Sequence, residues 1–219
     1  MGNEASERAP SAIRLKRAYE APQAGDGVRI LVDRLWARGV SKDAAKLDAW
    51  MKELGPTAEL RQWFGHRPER WDGFVEKYRH ELATPLRQLL LAELKGIAES
   101  STVTLVYGAH DAKENEAVVL RHYLLQDGTQ VDGTWDPTDT VLITSAALAA
   151  AHHDAVVPAS GLQLFASSIL TKQEIDGALK SLVTSGTFGH SPGGWQVTPR
   201  GLQRIRQLVS AGSTKGTSS

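Results

Sequence analysis

Three ionisable side chains follow one apolar strand. The run Val28–Gly39, Val-Arg-Ile-Leu-Val-Asp-Arg-Leu-Trp-Ala-Arg-Gly, closes with Asp33, Arg34 and Arg38. Successive strand residues point to opposite faces, and a charge at the end of a covered strand is costly unless it is paired or used. Two planar guanidiniums this close in sequence can grip a phosphate or carboxylate, with Asp33 orienting one of them or acting as a base. The competing reading is an ion-pair network that ties the strand end to the following helix. Two further acid–base candidates lie downstream. His66 follows Trp63-Phe64-Gly65 and reads as a general acid or base, or as a cap on helix-terminal carbonyls. Asp111 lies in the polar loop Gly108–Glu114 beside His110, and Asn115 follows it. Ligand groups belong in a loop that follows a strand, so Tyr107, His110 and Asn115 join Arg34 and Arg38 as ligand-binding candidates. Asn115 reads equally as a helix cap, Tyr107 as core, and Arg61 as the partner of a carboxylate rather than an extension of the anion site.

The elements that must hold these groups are legible from pattern. Ile13–Tyr19 reads as a first strand and Val28–Asp33 as a second; the short connection between them, with Pro22, Gly25 and Gly27, suits antiparallel neighbours. Ser41 caps a helix carrying Leu47, Trp50, Met51 and Leu54, stopped at Gly55-Pro56. Thr57 caps a shorter helix ended by Gly65, and two amphipathic helices follow from Pro68 and Pro85. Thr102–Tyr107 is the most β-prone run, and a helix with Ala117, Leu120 and Leu124 comes after it. The expectation is an α/β domain over residues 12–126, a small mixed sheet covered by helices. Residues 1–11 and 210–219 read as flexible tails, and 127–140, rich in Asp, Gly and Pro, as an interdomain linker with Trp135 docked on a domain.

Composition narrows the chemistry. The 219 residues contain no cysteine, which removes disulfides, thiolate nucleophiles and cysteine-ligated metals. The 25 basic and 25 acidic residues cancel, so no global field draws the chain to nucleic acid or a membrane. No glycine-rich phosphate loop, nucleophile elbow or dinucleotide fingerprint is present, and His152-His153-Asp154 sends its ligands in diverging directions. No metal, no cofactor and no membrane partner are expected, and the cytoplasm is the default location.

Leu31–Gly39, Glu59-Leu60-Arg61-Gln62-Trp63-Phe64-Gly65-His66, Trp71 with Phe74, Tyr78 and Glu81-Leu82, Thr104–Ala109 and Asn115–Leu120 together resemble the YeaO-like family, domain of unknown function 488. The resemblance covers about residues 11–126 and implies a small α/β domain without implying a reaction. One departure stands out: Ala37 replaces the proline typical of the family, which loosens the loop that holds Arg38.

Residues 141–209 read as helix, helix, helix, hairpin, helix. This order, with Leu182-Val183 to Gly186 and then Trp195-Gln196-Val197-Thr198-Pro199-Arg200-Gly201, resembles the winged-helix region of many bacterial regulators. Lys172, Gln173, Lys180 and Arg200 are its DNA-binding candidates. Residues 130–219 hold six basic and six acidic side chains, whereas phosphate neutralisation favours a clearly basic module, so a protein contact or a homodimer interface competes with DNA. The expected function is a ligand-responsive regulator: a small-anion-binding α/β domain coupled to a winged helix. The alternatives are an enzyme acting on a small phosphorylated or nucleotide-like substrate, and a non-catalytic interaction module.

Overall fold

The first half of the chain folds around two apolar strands that expose almost nothing. β2 (Val28–Leu31) and β4 (Val103–Tyr107) are buried along their whole length, as strands covered on both faces must be. The structure, a computed structural model, describes residues 13–126, 135–152 and 155–214, with side chains described to 211. β1 (Ile13–Arg17) pairs with β4, β4 with β2, and β2 with the two-residue β3 (Ala49–Trp50), all in parallel. The order is therefore β1-β4-β2-β3, and the sheet is parallel rather than mixed. The expectation of antiparallel β1 and β2 fails because β4 lies between them, so the short connection passes over β4 instead of turning back as a hairpin.

A buried charge cluster explains that crossing. The connection carries a short 3₁₀ turn at Ala24–Asp26, and Asp26 meets Lys16 at 2.9 Å and the Arg29 guanidinium. Thr104 Oγ1 of β4 donates to Asp26 O at 2.6 Å, and Arg29 NH2 donates to Ala45 O at 3.0 Å. Burial alone would raise the Asp26 carboxyl, but the Gln23 N–H, Lys16 and Arg29 together hold it below the ordinary range. Residues of three strands, β1, β2 and β4, are thereby tied to Asp26.

The helix read from Ser41 is shorter than its apolar spacing implies. Ser41 does cap α1 (Lys42–Ala45), but Lys46 adopts a left-handed conformation at φ 44° and ends it. Asp48 Oδ2 then accepts from Arg29 N at 2.8 Å, turning Ala49–Trp50 into an edge strand, and a 3₁₀ turn at Lys52–Leu54 follows. α2 (Ala58–Phe64) is capped by Thr57 and closed by Gly65 at φ 54°. α3 (Trp71–Leu82), α4 (Pro85–Ala98) and α5 (Glu116–Leu125) complete the covering layers.

The second half is mainly helical with a small antiparallel sheet. α6 (Pro137–Ala151) begins inside the segment read as a linker, with Asp136 accepting from Thr138 N and Asp139 N. It packs against β3 and against β5 (Val156–Pro158), α7 (Ala159–Ala166) and α8 (Lys172–Thr184). Thr140 to Ser145 are all buried, as expected of a helix enclosed on every side. β6 (Phe188–Ser191) and β7 (Gly194–Val197) form a hairpin, giving the order β5-β7-β6, and α9 (Pro199–Thr214) follows. The helix continues through 210–214, where a tail is expected from composition. Thr171 and Glu174 form the capping box anticipated at α8, and Trp135 packs against the core. Residues 1–12, 127–134, His153, Asp154 and 215–219 lie outside the described residues, and with them the N-terminal tail and most of the linker reading. Among the described residues no helix is long and apolar enough to cross a membrane.

Candidate functional site

Parallel strands deliver their last residues to one end of the sheet, and the pocket is there. After β2 the chain gives Asp33 and Arg34; after β4 it gives Gly108 and Ala109. A cavity of about 530 Å³ opens between these ends and the start of α2, and its lining includes Asp33, Arg34, Arg38, Arg61, His66 and Glu116.

The wall that carries Arg34 is built by α3 and α4. Tyr78 OH donates to Leu54 O at 2.5 Å, Arg87 Nε to Glu53 O at 2.8 Å and Arg87 NH2 to Gly55 O at 3.1 Å. Glu81, 3.0 Å from Arg87, accepts from Thr57 Oγ1 at 2.6 Å. So anchored, Glu53 meets Arg34 NH1 at 2.6 Å, while Trp50 Nε1 donates to Asp33 O at 2.8 Å. Gly55 packs directly on the Asp33–Arg34 backbone, where a Cβ would stand 3.0 Å from the Asp33 carbonyl carbon. The strand end is thus held by hydrogen bonds on both sides of the Asp33–Arg34 link.

Asp33 faces two partners. Gly108 N donates to its Oδ2 at 2.8 Å. Its Oδ1 is buried and accepts from no N–H, and the carboxyl of Glu116, the first residue of α5, stands in hydrogen-bond contact with the Asp33 side chain. Two carboxyls bond to each other only when one of them carries a proton. Burial and the adjacent Asp33 raise the Glu116 carboxyl well above the ordinary range, so Glu116 is the partner that carries the proton in this contact. The pair then behaves as a single negative charge, its one acidic hydrogen spent between the two carboxyls.

The guanidiniums outnumber that charge. Arg34 Nε and Arg61 Nε are buried without a hydrogen-bond partner, although Arg34 NH1 is occupied by Glu53 and Arg61 feels the Glu116 carboxyl. Arg38 lines the same cavity and is exposed, as is His66, whose ring lies 5.5 Å from Phe64. Among the described residues that line the cavity or pair with its lining, three arginines face Glu53 and the singly charged acid pair. The cavity therefore carries an excess of one positive charge.

The structure brings Asp33, Arg34, Arg38 and His66 together at one cavity and keeps the loop candidates out of its lining. Asp111 is exposed and closes its own turn, accepting from Lys113 N at 2.7 Å and Glu114 N at 3.1 Å, which lowers its carboxyl. Asn115 is buried with both amide ends engaged, accepting from Val118 N at 3.1 Å and donating to Asp111 O at 2.8 Å. Tyr107 is core, and its burial raises its hydroxyl; His110 is exposed. Glu116 and Arg61 are the two charged lining residues that sequence reasoning passed over or discounted. The signal was present in Glu116, an acid on the first turn of the helix after the strongest strand, but its partner lies far away in sequence. Lys172, Gln173, Lys180 and Arg200 are all exposed, remote in sequence from this cavity. Among the described residues no group of three or more His, Asp or Glu could hold a metal ion.

A parallel α/β sheet with a charged pocket at the carboxyl ends of its strands defines the class: an α/β domain with a polar crevice at its strand ends. The particular family follows from residues 12–142, which match the model described as the inactive DUF488-N3 subclade, and the chain belongs to that family. It is 40% identical over 112 residues to the uncharacterized protein YeaO of Escherichia coli K12, which covers 51% of this chain and 96% of that protein. The uncharacterized protein Rv3073c of Mycobacterium tuberculosis H37Rv is 38% identical over 112 residues, 51% of this chain and 92% of its own length. No solved structure matches the chain.

Proposed function

We propose that residues 12–126 form a non-catalytic binding domain for a small anion, and that residues 141–209 form a winged helix that reads out the bound state on DNA as a homodimer. The observation that carries the first half is the pair of buried Nε atoms on Arg34 and Arg61 without partners, in a cavity with one positive charge in excess. A buried guanidinium donor left unpaired costs free energy that an anion would recover. The description of the subclade as inactive favours binding over turnover. The order α6, β5, α7, α8, β6, β7, with β5 joining the hairpin, supports the winged-helix reading, and α8 presents Lys172, Gln173 and Lys180 to solvent, where a recognition helix would present its contacts. Contact of α6 with both β3 and α8 supplies a physical link between the two halves. A DNA partner places the chain in the cytoplasm.

Calorimetric titration with sulfate at low ionic strength tests the anion site: wild type binds, and Arg61→Ala weakens binding at least ten-fold. Equal affinity in the two proteins removes the assignment. A mobility shift on a mixed-sequence duplex at low salt tests the second half, with Lys172→Glu and Lys180→Glu together abolishing the shift; no shift by wild type sinks the DNA reading.

A further inference from the structure

The cavity offers more than charge. Its lining includes Phe64 and Phe74, which are 5% and 2% exposed and so form part of its floor, and Leu35 and Tyr19, which are 61% and 52% exposed and so stand at its mouth. A single exposed apolar side chain is ordinary, but two large ones at the rim of a pocket already walled by aromatic side chains offer apolar contact along the pocket's depth. Trp36 adds a ring held in place, with Nε1 donating to Val40 O at 2.7 Å and an edge-on contact to Trp50 at 5.3 Å between centroids. A bare inorganic anion would use none of this surface.

Charge sets the other limit. Glu53 engages Arg34 at 2.6 Å, and the Asp33–Glu116 pair holds one proton between its two carboxyls, so one of the three arginine charges is left to be balanced. A monoanion balances it, whereas a dianion would add a second negative charge beside the acid pair. Planar guanidiniums match a planar two-oxygen acceptor, which a carboxylate supplies.

We infer that the ligand of this pocket is an aromatic carboxylate, a monoanion whose carboxylate is held by Arg61 and Arg34 and whose flat apolar body is covered by Leu35 and Tyr19. This rests on the anion-site reading above and names its ligand class. Recognition is divided accordingly: the arginines select the charge, and the aromatic and aliphatic side chains select the body.

The test is calorimetric titration of the full chain at pH 7 with 1-naphthoate, acetate, sulfate and the neutral 1-naphthamide. Naphthoate is expected to bind at least ten-fold tighter than each of the other three. Arg61→Ala removes naphthoate binding, and Leu35→Ser, at a side chain exposed enough to change without unfolding the chain, lowers the ratio of naphthoate to sulfate affinity at least three-fold. Sulfate or acetate binding as tightly as naphthoate overturns the aromatic-acid inference while the anion site stands. Naphthamide binding as tightly as naphthoate, or naphthoate binding that survives both substitutions, overturns it as well. Failure of all four to bind overturns both readings.

Discussion

Glu93 gives the sharpest prediction about stability, because a fully buried carboxyl joins the two halves of the chain. It lies on α4 and is 0% exposed, in hydrogen-bond contact with Thr144 Oγ1 of α6. The same hydroxyl lies 3.0 Å from Thr140 O, and its one hydrogen cannot serve two acceptors. A proton on Glu93 resolves the conflict, and burial pushes that carboxyl from 4.5 up to about 8, against the smaller opposing effect of Thr144. The folded state therefore holds a proton that the unfolded chain releases above its ordinary carboxylate range. Stability from this group is fully present below pH 4.5 and is lost as pH rises through about 8. At about 1.4 kcal/mol per pH unit across that interval, the total loss is about 5 kcal/mol, of which about 3 kcal/mol falls below pH 7. Glu93→Gln keeps the shape and removes the titration. Urea unfolding of both proteins at pH 5, 7 and 9 isolates the effect as the difference between them, since all other groups cancel. The gap should move in favour of Glu93→Gln by several kcal/mol from pH 5 to 9, with unchanged urea dependence. Parallel stability profiles would refute the reasoning.

Other perturbations follow from the same geometry. Asp26→Asn leaves Lys16 and Arg29 buried without their counter-charge and should cost about 3–5 kcal/mol in urea unfolding; because its folded carboxyl is lowered, the wild-type contribution is present above the ordinary Asp range and vanishes as pH falls through the lowered value. Gly55→Ala pushes a methyl into the Asp33–Arg34 backbone, so it should lower the melting temperature, at about 1–3 kcal/mol, and weaken sulfate binding as well. Gly177→Ala meets nothing within 4 Å inside α8 and should raise stability by about 0.5–1 kcal/mol. Arg204→Ala breaks an exposed pair with Asp139 and should change stability by less than about 1 kcal/mol, measured in the same way.

Local signals survived folding better than long-range ones. Ser41, Thr57, Thr171 and Gly65 all cap where their residue types indicate, because a cap is decided within one turn of chain. Asp33, Arg34 and Arg38 were visible as charges at the end of an apolar strand, and they do line one cavity. Ala49–Trp50 was misleading: its spacing with Leu47 and Leu54 matches a helix, but the Asp48 bond to Arg29 N outweighs that periodicity and adds a strand. The parallel sheet was hidden because the order of strands depends on β4 entering between β1 and β2 from far along the chain. Glu116 was hidden for the same reason, since its meaning depends on Asp33.

The central claim is that the cavity at the strand ends holds an anion on Arg34 and Arg61. A crystal of the full chain soaked in selenate reports on this directly through the anomalous signal of selenium. The account predicts a selenium peak within hydrogen-bonding reach of both guanidiniums, absent from Arg61→Ala crystals treated in the same way. An empty cavity in well-ordered wild-type crystals, with selenate bound only at other surface sites, would contradict it.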